Sequence, residues 1–128
     1  MPRQGPYTPE ELAAVFTMAD IILSLSKILD SPKPNKRAML RALMAGPCPT
    51  RSRGSLEAKL MNVSGASVRV NGPIIPGYQP APNCQRVMVD IARTLFIDGD
   101  TSVLCDKARQ ALVESQTEAV QMAIGGAS

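Results

Sequence analysis

A proline-rich stretch at residues 72–85 restricts the fold more than any other part of the chain. It contains four prolines, and segments with helical periodicity flank it on both sides. Pro76-Gly77 is typical of the central positions of a type II turn, because proline presets φ and glycine accepts a positive φ. Gln79 and Ala81 each precede a proline and are therefore biased toward extended backbone. The stretch predicts a stiff loop that presents Tyr78. The alternative is an ordinary helix connector whose tyrosine packs on the core.

The size and composition of the chain indicate a single domain. A length of 128 residues with 45% hydrophobic residues suits one domain with its own core. Aromatic residues contribute only 3%, so aliphatic side chains must do most of the packing. No apolar run approaches the length of a membrane span, and the first residues lack the apolar region of a signal peptide. We therefore expect a cytoplasmic protein with no membrane partner.

The chain contains no histidine, which removes imidazole-based acid–base catalysis, serine–histidine triads and most catalytic zinc sites. Its three cysteines, Cys48, Cys84 and Cys105, are far apart and share no metal-ligand spacing. We expect them to be reduced residues in or near the core. The sequence therefore predicts no catalytic site, no metal site and no cofactor.

Helical spacing of apolar residues predicts an all-α fold of about five helices joined by the long proline-rich loop. Thr8-Pro9-Glu10-Glu11 matches a helix start, with Thr8 as the N-cap and Glu11 completing a capping box. Residues 1–7 are expected to form a loose arm. The predicted helices span residues 8–29, 35–45, 55–64, about 84–96 and about 101–124. Residues 67–70 alternate in the manner of a short strand, but flanking glycines confine them and no sheet is predicted.

The charges are unevenly distributed along the chain. Residues 33–93 hold ten basic and two acidic side chains, whereas the two ends together hold four basic and nine acidic ones. A basic middle between acidic ends is a plausible footprint for binding a polyanion.

Several basic residues occupy positions suited to phosphate. Arg51, Ser52 and Arg53 precede a helix start, where unpaired amides and the helix dipole favour an anion. The other basic candidates are Lys36, Arg37 and Arg41 on the second helix, and Arg86 and Arg93 after the loop. The alternative is that these side chains are ordinary solvated charges. For Arg86 and Arg93, local ion pairing with Asp90 is a further alternative.

Two motifs in this central region resemble those of a known family. The first motif comprises Arg51, Gly54-Ser55-Leu56-Glu57, Lys59 and Asn62-Val63-Ser64, and the second comprises Gly77-Tyr78, Pro80, Asn83 and Gln85. In this order the pair resembles the sulfur-binding domain of restriction endonucleases that act on phosphorothioate-modified DNA. The sequence departs from that pattern at Arg53, where relatives carry histidine, and at Cys84, where an aromatic residue is common.

The resemblance implies binding of double-stranded DNA that carries phosphorothioate linkages. A sulfur in place of a non-bridging oxygen keeps the charge but is larger, softer and less strongly hydrated, so a small apolar recess distinguishes the two. The recess is expected to consist of Tyr78, Pro80, Ala81 and Pro82. The expected phosphate contacts are Arg51, Ser52, Arg53, Lys59, Arg86, Arg93, Lys36 and Arg37, with Asn83 and Gln85 as base or backbone contacts. A nuclease or other effector is an expected partner, because relatives often carry one.

Two other functions fit the same sequence. A general or sequence-specific helical DNA-binding regulator would bind modified and unmodified duplexes equally. A helical protein-interaction module would use its basic region against an acidic partner and would show no salt-dependent binding of DNA.

Overall fold

The computed structural model describes residues 6–28, 36–46, 48–82, 84–104 and 110. These residues are mostly helical and include no strand, which confirms the predicted all-α class. The helices are α1 (Pro9–Ile28), α2 (Lys36–Ala45), α3 (Arg53–Arg69) and α4 (Arg86–Ala92). A π-helical turn, Arg93–Ile97, continues α4, and a 3₁₀ turn follows at Thr101–Val103. The described part thus contains four α-helices rather than five, and the predicted last helix lies almost entirely outside it.

The start of α1 has the capping geometry that its sequence predicts. The Thr8 amide donates to Glu11 Oε1 at 2.9 Å, and the Glu11 amide donates to Thr8 Oγ1 at 3.1 Å. This reciprocal pair satisfies two amides that a helix start leaves without an intrahelical partner. The capping box is confirmed, and it fixes Glu11 at the first turn of α1.

Helix α3 is longer than its apolar pattern indicates. The apolar pattern predicts a helix from about Ser55 to Ser64, whereas α3 runs from Arg53 to Arg69. Its N-cap is Ser52, whose hydroxyl accepts from the Ser55 amide at 3.1 Å. The segment that loosens the apolar pattern is rich in small residues, all buried inside the fold at residues 64–67. The alternating residues 67–70 are thus helical, or just past the helix end, and form no strand.

The core lies around α3, which contacts α1, α2 and α4. Aliphatic side chains fill it, as the low aromatic content requires. Its largest fully buried members are Phe16, Met18, Ile22, Leu40, Leu43, Leu56, Leu60, Ile75, Met88 and Val15. Because Ile75 belongs to the proline-rich stretch, part of that stretch is a component of the core. Cys48 is also buried and Cys84 half-buried, while Cys105 lies outside the described residues.

The chain after the proline-rich stretch also differs in detail from its pattern. Helix α4 begins at Arg86, two or three residues later than predicted, and Gln85 is its N-cap residue. Asp100 caps the 3₁₀ turn by accepting from the Ser102 amide at 2.9 Å. Among the described helices, none has both the length and the apolar character needed to cross a membrane.

Candidate nucleic-acid interface

Two serine hydroxyl groups of α3 bind the backbone of the proline-rich stretch and hold it against the helix. Ser64 donates its hydroxyl proton to the carbonyl oxygen of Tyr78 at 2.9 Å and accepts from the Ile75 amide at 3.1 Å. One buried side chain on α3 therefore satisfies two backbone groups of the stretch. Ser67 adds a third connection by donating to the carbonyl oxygen of Pro73.

A glycine in the middle of α3 allows the stretch to lie directly against the helix. A Cβ at Gly65 would collide with the carbonyl oxygen of Ala81. The Ala81 amide donates to the carbonyl oxygen of Met61 at 3.0 Å, and Arg69 Nη2 donates to the carbonyl oxygen of Pro82 at 3.3 Å. The backbone around the two prolines is thereby fixed relative to α3.

The turn at Pro76-Gly77 forms as the dipeptide predicts. The Tyr78 amide donates to the carbonyl oxygen of Ile75 at 3.0 Å, and Gly77 has a φ of 86°. This combination is the backbone pattern of a type II turn, in which a residue with a side chain is strained at the glycine position. The turn places Tyr78 immediately after Gly77, with its side chain directed into the protein.

The predicted sulfur recess has a different composition from the one expected. Tyr78 is 4% exposed, whereas Pro80 and Pro82 are exposed and Ala81 is half-buried. An open groove of about 290 Å³ lies beside the turn, and its lining residues are Glu57, Met61, Gly77, Tyr78 and Gln79. Tyr78 therefore lines a groove together with α3. The two prolines and Ala81 are not among its lining residues, because their backbone follows α3 past the groove.

Tyr78 lies close to the charged start of α3. Burial, and then the neighbouring carboxylate of Glu57, raise the pKa of the Tyr78 phenol to about 12, with a smaller opposing effect of Arg53. Arg53 Nε lies 3.5 Å from Glu57 Oε1, and both side chains are exposed. The structure thus places Tyr78 of the loop in one groove with Glu57 of α3, and Glu57 in turn pairs with Arg53.

Arg51 precedes the N-cap of α3, but its side chain lies inside the fold rather than at the surface. It is 7% exposed, and its guanidinium donates to Glu11 from Nε and from Nη2, each at 2.8 Å. Nη2 also donates to the carbonyl oxygen of Pro6 at 2.9 Å. The buried carboxylate of Glu11 occupies this guanidinium, so in this structure Arg51 is not exposed at the surface, where a phosphate contact was expected.

The aromatic ring of Tyr7 lies beside two cations. The guanidinium carbon of Arg51 is 4.0 Å from its centroid and Lys59 Nζ is 4.7 Å from it, while the Tyr7 hydroxyl lies 2.8 Å from Ser55 Oγ. Burial, and then the charge of Arg51, lower the pKa of Lys59. Pro6 and Tyr7 are therefore held by the fold, which corrects the expectation of a loose arm at these two positions. Residues 1–5 lie outside the described part.

A second groove is lined by arginines from two different helices. It has a volume of about 560 Å³ and lies between α2 and the start of α3, with Arg37, Leu40, Arg41, Met44, Ala45 and Arg53 as its lining. Arg41 is one of the basic candidates on α2, but it is not among the phosphate contacts that the resemblance implies. Its spacing of four residues from Arg37 was the available signal, because residues i and i+4 share a helix face.

The remaining predicted contact residues are scattered. Ser52 is exposed at the N-cap of α3, and Gln85 and Arg86 are exposed at the start of α4. Arg93 Nη1 lies 3.7 Å from Asp90 Oδ1, which is the local pairing considered as the alternative. Asn83 and the side chain of Lys36 lie outside the described part of the structure.

Neither a metal centre nor a relative points to another function. Within the described residues, no group of three or more cysteine, aspartate or glutamate side chains is arranged to hold a metal ion. Comparisons with protein-family models, with curated proteins and with solved structures found no match. The two grooves and the resemblance of the two motifs are therefore the features that suggest a function.

Proposed function

We propose that this domain binds double-stranded DNA and distinguishes phosphorothioate from phosphate linkages at the groove beside Tyr78. The observation that carries the proposal is the seating of the proline-rich stretch on α3. Ser64 and Gly65 fix a preformed turn on α3, where Tyr78 shares a groove with Glu57, whose carboxylate pairs with the exposed Arg53. A site already ordered before binding loses less conformational entropy when the ligand arrives.

The groove offers chemistry suited to a soft anion. The ring of Tyr78 and the side chain of Met61 provide apolar contact, and Met61 is 38% exposed. Arg53 would supply the positive charge in place of Arg51. A phosphate oxygen placed against the apolar wall would lose hydrogen bonds to water, whereas the less hydrated sulfur would lose fewer.

Glu57 limits what the groove accepts. The Glu57 carboxylate lines the groove and repels an anion that enters it. Its Oε1 atom also pairs with Arg53 Nε at 3.5 Å. A backbone phosphate that binds Arg53 must therefore compete with Glu57 for the guanidinium. This competition predicts a modest affinity of the groove for a single phosphate and a strong dependence on salt.

The test is a gel-shift titration with matched duplexes that differ by one phosphorothioate linkage, at two salt concentrations. We expect tighter binding of the modified duplex and weaker binding of both duplexes at higher salt. Tyr78→Ala should narrow the difference, and Arg53→Ala should weaken both complexes. Thermal unfolding of each variant by circular dichroism is needed as a control, because Tyr78 is buried. Equal affinity of the wild-type protein for the two duplexes would refute sulfur recognition.

A general DNA-binding function is the second candidate, and one observation favours it. The groove of Arg37, Arg41 and Arg53 carries three cations that can hold phosphate whether or not sulfur is present. A duplex bound only there would show salt dependence without any preference for the modified linkage. The same titration separates the two functions, since only sulfur recognition gives unequal affinities for the modified and unmodified duplexes.

A further inference from the structure

We infer that the groove between α2 and the start of α3 is a second contact for the DNA backbone, holding unmodified phosphates of the same duplex whose modified linkage lies beside Tyr78. This inference rests on the proposed function and assigns a separate task to a separate surface. The arginine groove provides affinity that is independent of sulfur, and the groove beside Tyr78 provides selectivity.

The cations of this groove come from two helices and face a common space. Arg37 and Arg41 lie one helical turn apart on α2, and both are exposed. Arg53 is the first residue of α3 and is also exposed. The helix dipole places additional positive potential at that end of α3, which has 17 residues. Three guanidinium groups and a helix start together favour negatively charged oxygens over any other ligand.

The surroundings of the groove contain little to oppose an anion. No carboxylate is among its lining residues, and residues 36–56 of the sequence include no aspartate or glutamate. Glu57, which lies outside this lining, pairs with one groove residue. Its Oε1 atom is 3.5 Å from Arg53 Nε. Arg37 and Arg41 form no salt bridge within 4.0 Å with a carboxylate of the described residues.

The shape and lining of the groove fit a polymer backbone better than a single ion. The space of about 560 Å³ is open, and its lining includes the exposed apolar residues Met44 and Ala45 as well as the arginines. A lone phosphate would leave these apolar atoms in water. A nucleic-acid backbone alternates phosphates with sugars, so its sugar carbons can cover the apolar atoms while its phosphates meet the guanidinium groups.

One ion pair connects the two grooves. Arg53 lines the arginine groove, and its partner Glu57 lines the groove beside Tyr78. A duplex that crosses the start of α3 would therefore meet both surfaces without any rearrangement of the fold. Because Arg37 and Arg41 belong only to the first groove, their removal should change affinity without changing the preference for sulfur.

The test compares two double variants with the same change in net charge. Arg37→Gln with Arg41→Gln removes the groove cations on α2, and Lys107→Gln with Arg109→Gln removes the same charge at two positions that are not among the expected DNA contacts. Each is titrated against the phosphorothioate duplex and its unmodified counterpart over a range of salt concentrations. Circular dichroism melts confirm that both variants remain folded.

For the groove variant we expect about tenfold weaker binding of both duplexes, an unchanged ratio of their affinities, and a salt slope lower by about 2. The matched variant should lose clearly less affinity. Three results would overturn the inference: unchanged affinity of the groove variant, equal losses in the two variants, or a changed affinity ratio. Equal binding of both duplexes by the wild-type protein would instead refute sulfur recognition and leave the groove contact standing.

Discussion

Arg51 and Glu11 form a two-point ion pair inside the fold, with Nε–Oε2 and Nη2–Oε1 distances of 2.8 Å each. The side chains of the two residues are 6% and 10% exposed. The pair joins the first turn of α1 to the residue before the N-cap of α3, and the arginine also binds the carbonyl oxygen of Pro6. An arginine that resembles a ligand-binding residue in the sequence is thus part of the scaffold that positions α3.

We expect Arg51→Met to destabilise the protein strongly, because it leaves the buried carboxylate of Glu11 without its cation. Breaking a buried pair from one side costs about 3–5 kcal/mol. Adding Glu11→Gln should recover part of this loss, since glutamine keeps the capping acceptor but carries no charge. Urea denaturation measures both free energies of unfolding. Arg86→Met, at an exposed position, is the control and should change stability by no more than about 0.5 kcal/mol. If Arg51→Met also changed the free energy of unfolding by no more than about 0.5 kcal/mol, the ion pair would contribute little to stability.

The same pair predicts how stability depends on acid. Hydrogen bonds from Arg51, and next to them the backbone amide of Thr8, outweigh burial and lower the pKa of Glu11 from 4.5 to about 2. Because the folded state holds this proton less tightly than the unfolded state, the contribution is complete above pH 4.5 and is lost as the pH falls toward 2. Denaturation midpoints measured through this range should fall steeply for the wild type. Glu11→Gln should reduce the slope, and an identical slope in the two proteins would contradict the assignment.

Signals confined to a few neighbouring residues predicted the structure well. The Thr8–Glu11 capping box and the turn at Pro76-Gly77 both form as expected, because each depends only on backbone preferences over four residues. The all-α class was also predictable, because the helical spacing of apolar residues is a signal within each segment of the chain. These features need no knowledge of what the rest of the chain does.

Contacts between distant residues could not be predicted in the same way. Nothing near Arg51 shows that a carboxylate 40 residues earlier will pair with it, so its position before a helix start suggested an anion instead. The small residues of α3 weaken the apolar pattern, and at Gly65 the absence of a side chain allows another segment to approach closely. The groove of Arg37, Arg41 and Arg53 likewise requires the packing of α2 against α3.

Gly65→Ala should be destabilising although alanine is the better helix former. A methyl group at this position collides with the carbonyl oxygen of Ala81, so the proline-rich stretch must move away from α3. Overpacking of this kind costs about 1–3 kcal/mol, which exceeds the helical preference for alanine of up to about 1 kcal/mol. Gly54→Ala is the matched control in the same helix, because no atom lies within 4 Å of its added Cβ. We expect Gly54→Ala to be neutral or stabilising in urea denaturation, and the same result for Gly65→Ala would contradict the close packing.

Ser64→Ala tests whether one hydroxyl group fastens the stretch. The substitution removes the donor to the Tyr78 carbonyl and the acceptor of the Ile75 amide, and both groups are buried. Each unsatisfied buried group costs about 1–3 kcal/mol, so we expect a loss of at least about 2 kcal/mol in the free energy of unfolding. Ser24→Ala is the control, because its hydroxyl is exposed and bonds only within α1 to the Asp20 carbonyl. Faster amide hydrogen exchange at Ile75 and Tyr78 in Ser64→Ala would show that the turn itself is loosened, whereas unchanged exchange would show that it holds without the hydroxyl.

The two tyrosines make the environment of Tyr78 directly measurable. The chain contains no tryptophan, and Tyr7→Phe leaves Tyr78 as the only phenol that titrates. Burial beside Glu57 raises the pKa of Tyr78 from 10.0 to about 12, so its absorbance change on ionisation should be centred near pH 12. Since the folded state holds this proton more tightly, the stabilising contribution is complete below pH 10 and declines as the pH rises toward 12. Glu57→Gln should lower the midpoint by removing the neighbouring charge, while burial keeps it above 10. A midpoint at 10 in the folded Tyr7→Phe protein would show that Tyr78 faces water. In that case the proposed groove would lack its apolar wall.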